Sequence, residues 1–234
     1  MKQKDFVIKA MVENGNLATF SQLYRLTDVS SWQTKTPFAT IRRIVQTNKE
    51  FFKIQPGLWG LSEFKSEILS KLNIKEITRE NEFTHSYFQG IIAQIGNLRN
   101  FYTYIPPQDK NRFFIDKKLH EVATTSEIYE FSYPKIIKIA KTIDAIWFNE
   151  RKLPHSFFEV EHSTDFKNSL NKFYELQDFN ATMFIVADKN RRAQFDSVIN
   201  ASIYESIANS VRFVDYDSIV KLYEKENLKV QVGI

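Results

Sequence analysis

The chain has 234 residues, 43 % of them hydrophobic and 15 % aromatic, with no Cys and a formal net charge of +4. That composition excludes a disordered chain, a disulfide framework and any thiolate metal site. With no apolar run near the ~20 residues needed to span a bilayer and no secretory leader at the N-terminus, a soluble, cytoplasmic protein with no membrane partner is expected. The charge is uneven. Residues 1–68 hold ten Lys/Arg against six Asp/Glu, and residues 69–234 hold twenty-two of each, so the whole basic excess sits on the first third. A small basic unit is the footprint of a nucleic-acid-binding module.

In chain order, residues 4–14 place Phe6, Val7, Ala10 and Met11 at helical spacing, with Gly15 as a stop. Residues 19–26 give a second short helix. Thr36-Pro37 opens a third, Thr36 as cap and Pro37 at the first helical position, with Ile41, Ile44 and Val45 as its apolar stripe. Two apolar runs, Phe51–Ile54 and Leu58–Leu61, flank Gln55-Pro56-Gly57, which predicts a type II hairpin. Three helices and a hairpin is the winged-helix order. Its third helix turns Thr40, Arg43 and Gln46 outward, flanked by Lys35, Thr36 and Arg42, and Lys53 and Gln55 lie on the hairpin. Arg reads guanine edges in the major groove and Gln reads adenine, and either can take a phosphate instead, so these eight residues are the candidate contacts to double-stranded DNA.

The stretch TPFATIRRIVQTNKEFFKIQPGLWGLSEF resembles the HARE-HTH winged-helix family, over about residues 4–64. The resemblance implies DNA binding.

Residues 65–83 are charged, with Ile68, Leu69, Leu72 and Ile74 suggesting a packed helix, so the expected divisions are 1–68, a linker helix over 69–83, and 84–234. In the last of these, residues 84–98 read as a helix, 101–105 as a strand, 118–130 as a helix within an irregular stretch, and 134–142 as a short helix led by Pro134. Strands follow at Thr142–Phe148 and Ser156–His162. Asp165–Phe179 is an amphipathic helix with Phe166, Leu170, Phe173, Tyr174 and Leu176 inward. Thr182–Ala187 is a buried strand, 191–209 a helix, Val211–Val214 a strand and 217–226 a final helix. Strands alternating with helices predict a mixed α/β layered domain.

Within SFFEVEHS, alternation sends Phe158 and Val160 to one face and Glu159 and Glu161 to the other. The two carboxylates are then ~6.6 Å apart along the strand and can converge on a cation. Asp144 interrupts the apolar run of the preceding strand, where an unpaired carboxylate is costly. Three carboxylates on adjacent strands make an oxygen site suited to Mg²⁺, with Mn²⁺ as a substitute, able to activate water at a phosphodiester. Against this stands the ordinary alternative that Glu159 and Glu161 line a solvated sheet face.

The order of elements around Asp144 and Glu159-Val160-Glu161 resembles the PD-(D/E)XK nuclease superfamily, over roughly residues 84–216. The resemblance implies a three-layer α/β/α restriction-endonuclease-like domain in which Asp144 and Glu159 bind metal. The family's usual Lys is replaced by Glu161, as in a subset of type II restriction enzymes, which leaves Glu161 as base or further ligand and Lys172 on the next helix as a candidate for the displaced Lys. Family members often add a polar group from the first helix, here His85 or Gln89. The expectation is a Mg²⁺-dependent restriction-type endonuclease acting as a homodimer on DNA. The alternatives are a non-catalytic DNA-binding regulator with a degenerate nuclease fold, and a protein-interaction module.

Overall fold

A computed structural model describes residues 2–74, 77–163 and 165–232. The chain divides into two compact units, Met1–Ile77 with Asn227–Ile234, and Thr78–Glu226. Among the described residues no helix is long and apolar enough to cross a membrane.

The first unit runs α1 (Gln3–Glu13), β1 (Leu17–Thr19), α2 (Phe20–Leu26), α3 (Pro37–Thr47), β2 (Phe51–Gln55), β3 (Leu58–Leu61) and α4 (Lys65–Lys71). Gly15 (φ 82°) ends α1 in a Schellman motif, its N–H donating to Val12 O and that of Asn16 to Met11 O. Thr19 caps α2, accepting from Gln22 N while Gln22 Oε1 accepts from Thr19 N. Thr36 precedes α3 without capping it; Pro37 alone marks the start. The Pro56-Gly57 turn has φ 80° at Gly57, as a type II hairpin requires. The strand β1, not expected from sequence, completes a three-stranded antiparallel sheet in the order β1-β3-β2. Val7 and Met11, Leu23, Ile41 and Val45 meet in one buried cluster.

The second unit opens on α5 (Ile77–Leu98), which takes in much of the expected linker helix as well as the expected 84–98 helix; Asn73 in the left-handed region (φ 59°) follows α4. Then come β4 (Tyr102–Tyr104), β5 (Phe113–Phe114), β6 (Lys117–Lys118), α6 (Leu119–Val122), α7 (Pro134–Ala140), β7 (Ala145–Phe148), β8 (Pro154–Glu161), α8 (Lys167–Glu175), β9 (Thr182–Ala187), α9 (Arg192–Ile199), β10 (Val211–Asp215) and α10 (Tyr216–Val232). The main sheet has the order β10-β9-β8-β7-β4, parallel from β10 to β8 and antiparallel from β8 to β4. This is a mixed α/β unit.

Several expectations are corrected. The helix over 118–130 is one turn, preceded by the β5-β6 hairpin, and 191–209 holds α9 flanked by short 3₁₀ turns. Tyr174 is 42 % exposed rather than inward. The strand expected from Thr142 begins at Ala145, because α7 runs to Ala140 and two backbone turns follow.

The faces of β8 are sharply different. Phe157 joins a core with Leu170 and Phe173 of α8 and Ile137 of α7. Phe158, one residue on, stacks with Trp147 and Phe184. The Trp147 Nε1–H donates to Ile92 O of α5, and Gly96 of α5 lies so near that a Cβ there would meet Trp147 Nε1 at 2.6 Å and Thr103 Cγ2 at 2.5 Å. Glycine at 96 therefore sets how closely α5 approaches the sheet.

Candidate active site

Alternation along β8 puts Glu159 and Glu161 on the side of Phe157, facing α8. Both are buried, at 3 % and 6 % exposure, although Glu161 ends the strand. The Ser169 hydroxyl, on the inward side of α8, lies between them, 2.9 Å from Glu159 Oε2 and in a short contact with Glu161 Oε1. One helical turn on, Lys172 Nζ donates to both Glu159 oxygens at 2.9 Å and to Thr142 O at 3.0 Å. Burial and the Asp144 charge push the Glu159 carboxyl up, and Lys172 and Ser169 pull against that. Burial works to discharge Lys172, but Glu159, Asp144 and Glu161 outweigh it and hold the ammonium above its ordinary value. Position 172 therefore carries a fixed positive charge.

Asp144 sits just ahead of β7, 8 % exposed. Its Oδ2 accepts from Val160 N at 2.7 Å, which ties the approach of β7 to the middle of the Glu159-Val160-Glu161 run. Its own N–H points at Glu159 Oε1, 3.4 Å away. Its Oδ1 faces α5, where His85 Nε2 lies at 3.4 Å. Burial lowers the His85 imidazole, but the Asp144 and Asp109 carboxylates more than reverse it and raise it to about 9. Gln89, one turn further along α5, donates from Nε2 to Asp144 O at 3.0 Å and to Asp109 Oδ2 at 2.9 Å. Asp109, 3 % exposed, also pairs with Arg112 at 2.9 Å.

The structure thus gathers Asp144, Glu159 and Glu161 at one end of adjacent strands, and adds Lys172, Ser169, His85, Gln89 and Asp109. Sequence reasoning missed Asp109 and Ser169. A small polar residue at an inward helical position was the available signal for Ser169; Asp109 lies in an irregular stretch with no period to read. The donors fit a hard divalent cation. Each carboxylate oxygen keeps a further lone pair beside the hydrogen bond it accepts, and buried carboxylates want a cation.

In the first unit, Lys35, Thr36, Arg43, Gln46 and Lys53 are exposed and Thr40 is half-buried, its hydroxyl donating to Thr36 O. Two expected contacts are turned elsewhere. Arg42 donates to Tyr24 OH at 3.1 Å and its guanidinium lies 4.2 Å from the Phe20 ring centre. Gln55 is buried at 7 % exposure, because the register of β2 against β3 shifts between Lys53 and Gln55 and moves Gln55 off the face that Lys53 presents.

A family model, the type II restriction enzyme NmeDI C-terminal domain, matches residues 67–232. The chain belongs to this family. The matched span includes every one of the clustered residues from His85 to Lys172. The type II restriction enzyme NmeDI of Neisseria meningitidis serogroup C is 27 % identical over 158 residues, covering 63 % of this chain and 44 % of that enzyme. The chain therefore spans less than half the length of that curated relative. No solved structure matches the chain.

Proposed function

We propose that the chain is a Mg²⁺-dependent DNA endonuclease of restriction type. In this reading residues 84–234 form a PD-(D/E)XK-type three-layer α/β/α nuclease domain, residues 1–68 a winged helix that docks on duplex DNA, and residues 69–83 the link between them. The observation that carries the reading is the Lys172 ammonium on both oxygens of Glu159. The reading as a degenerate, non-catalytic regulator drew its force from Glu161 standing where the family has Lys. A lysine delivered from α8 to the same carboxylate weakens that argument.

Asp144 and Glu159, with Glu161 beside them, would hold the divalent cation. Bound there, it supplies Lewis-acid activation of water and neutralises charge on the phosphate. The chain's own groups do the rest. Lys172 keeps its positive charge and turns an N–H toward the scissile phosphate, where charge develops as the P–O bond breaks. Ser169 fixes the rotamers of both glutamates. The Asp144–Val160 hydrogen bond fixes the distance between the strands that carry the carboxylates. On the first unit, Arg43, Gln46, Lys35 and Lys53 are the exposed groups available to base edges and phosphates. A double-strand cut needs two such sites, so the working form is a homodimer on DNA.

The test is digestion of methylated and unmethylated genomic DNA with Mg²⁺ or with chelator, followed by sequencing of the ends. Discrete ends that vanish with chelator support the reading. Intact DNA in every arm, by a chain that still binds duplex, would hand the case to the regulator.

A further inference from the structure

On the α5 side of Asp144, the geometry differs from an ordinary buried ion pair. Asp109, Asp144 and His85 each bring a ligand atom to a point where all lie within 4.8 Å of one another, and among the described residues this is the group of three His or acidic side chains that does so. His85 Nε2 stands 3.4 Å from Asp144 Oδ1 and 3.9 Å from Asp109 Oδ2. Both distances exceed the ~2.7–3.2 Å of a sound N–H···O bond. They are close to the ~3.0–3.4 Å that separates neighbouring ligands bound at ~2.1 Å to one tetrahedral or octahedral ion. A second observation points the same way. Gln89 is fully buried, its amide nitrogen rests on Asp109 and Asp144, and its Oε1 has no hydrogen-bond partner. A buried amide oxygen beside two carboxylates calls for an ion or ion-bound water to satisfy it.

We infer that His85, Asp109 and Asp144 form a second divalent-cation site, distinct from the Glu159/Glu161 side and joined to it through Asp144. One imidazole and two carboxylates favour a borderline ion of the Mn²⁺ or Zn²⁺ class over Mg²⁺, which prefers oxygen ligands and keeps its waters. The supporting groups are in place. Arg112 holds Asp109 Oδ1 and leaves Oδ2 toward the site, Gln89 orients both aspartates from α5, and Val160 N holds Asp144 Oδ2 so that Oδ1 faces His85. The site adjoins the proposed cleavage centre, and to that extent it rests on that reading, but its occupancy can be read without any cleavage.

The experiment uses Mn²⁺ on the full chain, read by electron paramagnetic resonance with electron spin-echo modulation from directly bound imidazole nitrogen. Wild type is expected to show nitrogen modulation. His85→Gln removes it, and Asp109→Asn weakens that ion by roughly 10- to 100-fold or more. Glu159→Gln, which disables the proposed cleavage centre, leaves the modulation in place, so failure of the nuclease reading and failure of this site are told apart. The wild-type spectrum needs no variant to fold. Its lack of nitrogen modulation at saturating Mn²⁺, or modulation that survives His85→Gln, overturns the assignment.

Discussion

The two units spend their polar residues differently. In the first, the buried polar side chains among the described residues are Thr19, Ser21, Thr27 and Gln55, none of them charged, and its Lys and Arg stay at the surface or half-buried. In the second, six carboxylates are buried: Asp109, Asp144, Glu159, Glu161, Glu224 and Glu226. Burying a carboxylate costs several kcal/mol unless it is paired, on the order of the whole margin of a small domain. A fold optimised only for stability would not place four of them around one end of a sheet. The contrast separates a unit built to present charge outward from one that concentrates it inward, and it locates the chemistry in the second.

The sharpest way to break that contrast is Glu159→Gln. Cleavage of plasmid DNA is expected to vanish, while thermal unfolding occurs at no lower temperature, since a neutral amide is cheaper to bury than a carboxylate. A large fall in melting temperature would mean that the charge serves stability instead. Lys172→Met should lower the single-turnover cleavage rate by about 10²–10³, the scale for removing one preorganised charge donor. It also leaves Glu159 without its cation, at a cost of about 1–3 kcal/mol in urea unfolding, discounted because Lys172 is partly exposed. The double variant with Glu159→Gln should recover most of that stability and none of the activity. Gly96→Ala pushes α5 off Trp147 and Thr103 and is expected to cost about 1–3 kcal/mol with no change in the first unit.

On the other side of the comparison the effects are smaller and electrostatic. Arg43→Ala should leave unfolding unchanged, weaken duplex binding about equally across sequences, and reduce the salt slope of the affinity by about 1 if Arg43 meets a phosphate. Relaxed preference at one base pair would instead mark it as a base reader. A contact of similar size closes β10 in the second unit. Asp215 accepts from Ser218 N and Oγ at the start of α10. Burial pushes the Asp215 carboxyl up, but these hydrogen bonds outweigh it and hold it below its ordinary value of 3.8. Its capping contribution, about 1 kcal/mol, is therefore full above that ordinary value and disappears as pH falls through the lowered one. Urea titrations of Asp215→Ala and wild type should differ at neutral pH and converge at the acid end.

Much of this layout was legible in the residues. Thr182–Ala187 is apolar enough to read as a buried strand, and its observed bounds agree; Pro134, Pro56-Gly57 and Gly15 punctuate the chain where local sterics demand. The alternation in SFFEVEHS placed Glu159 and Glu161 on one face. What could not be read was long-range or local-irregular. The bulge in β2 that buries Gln55 leaves no mark on the pattern, and Arg42 looks like a surface charge until Tyr24 and Phe20 are folded against it. Asp109 lies thirty-five positions before Asp144 in a stretch without periodicity, and only the tertiary fold brings them within reach of one imidazole. Lys172 occupies a helix position that reads as solvated; its role depends on where α8 crosses β8.

The central claim is that the buried carboxylates of the second unit cut DNA. Supercoiled plasmid incubated with Mg²⁺ and either wild type or Asp144→Asn, both shown to bind duplex with equal affinity, tests it most directly. The account predicts linear or discrete fragments from wild type and intact supercoiled DNA from the variant. Equal cleavage by the two chains would contradict it.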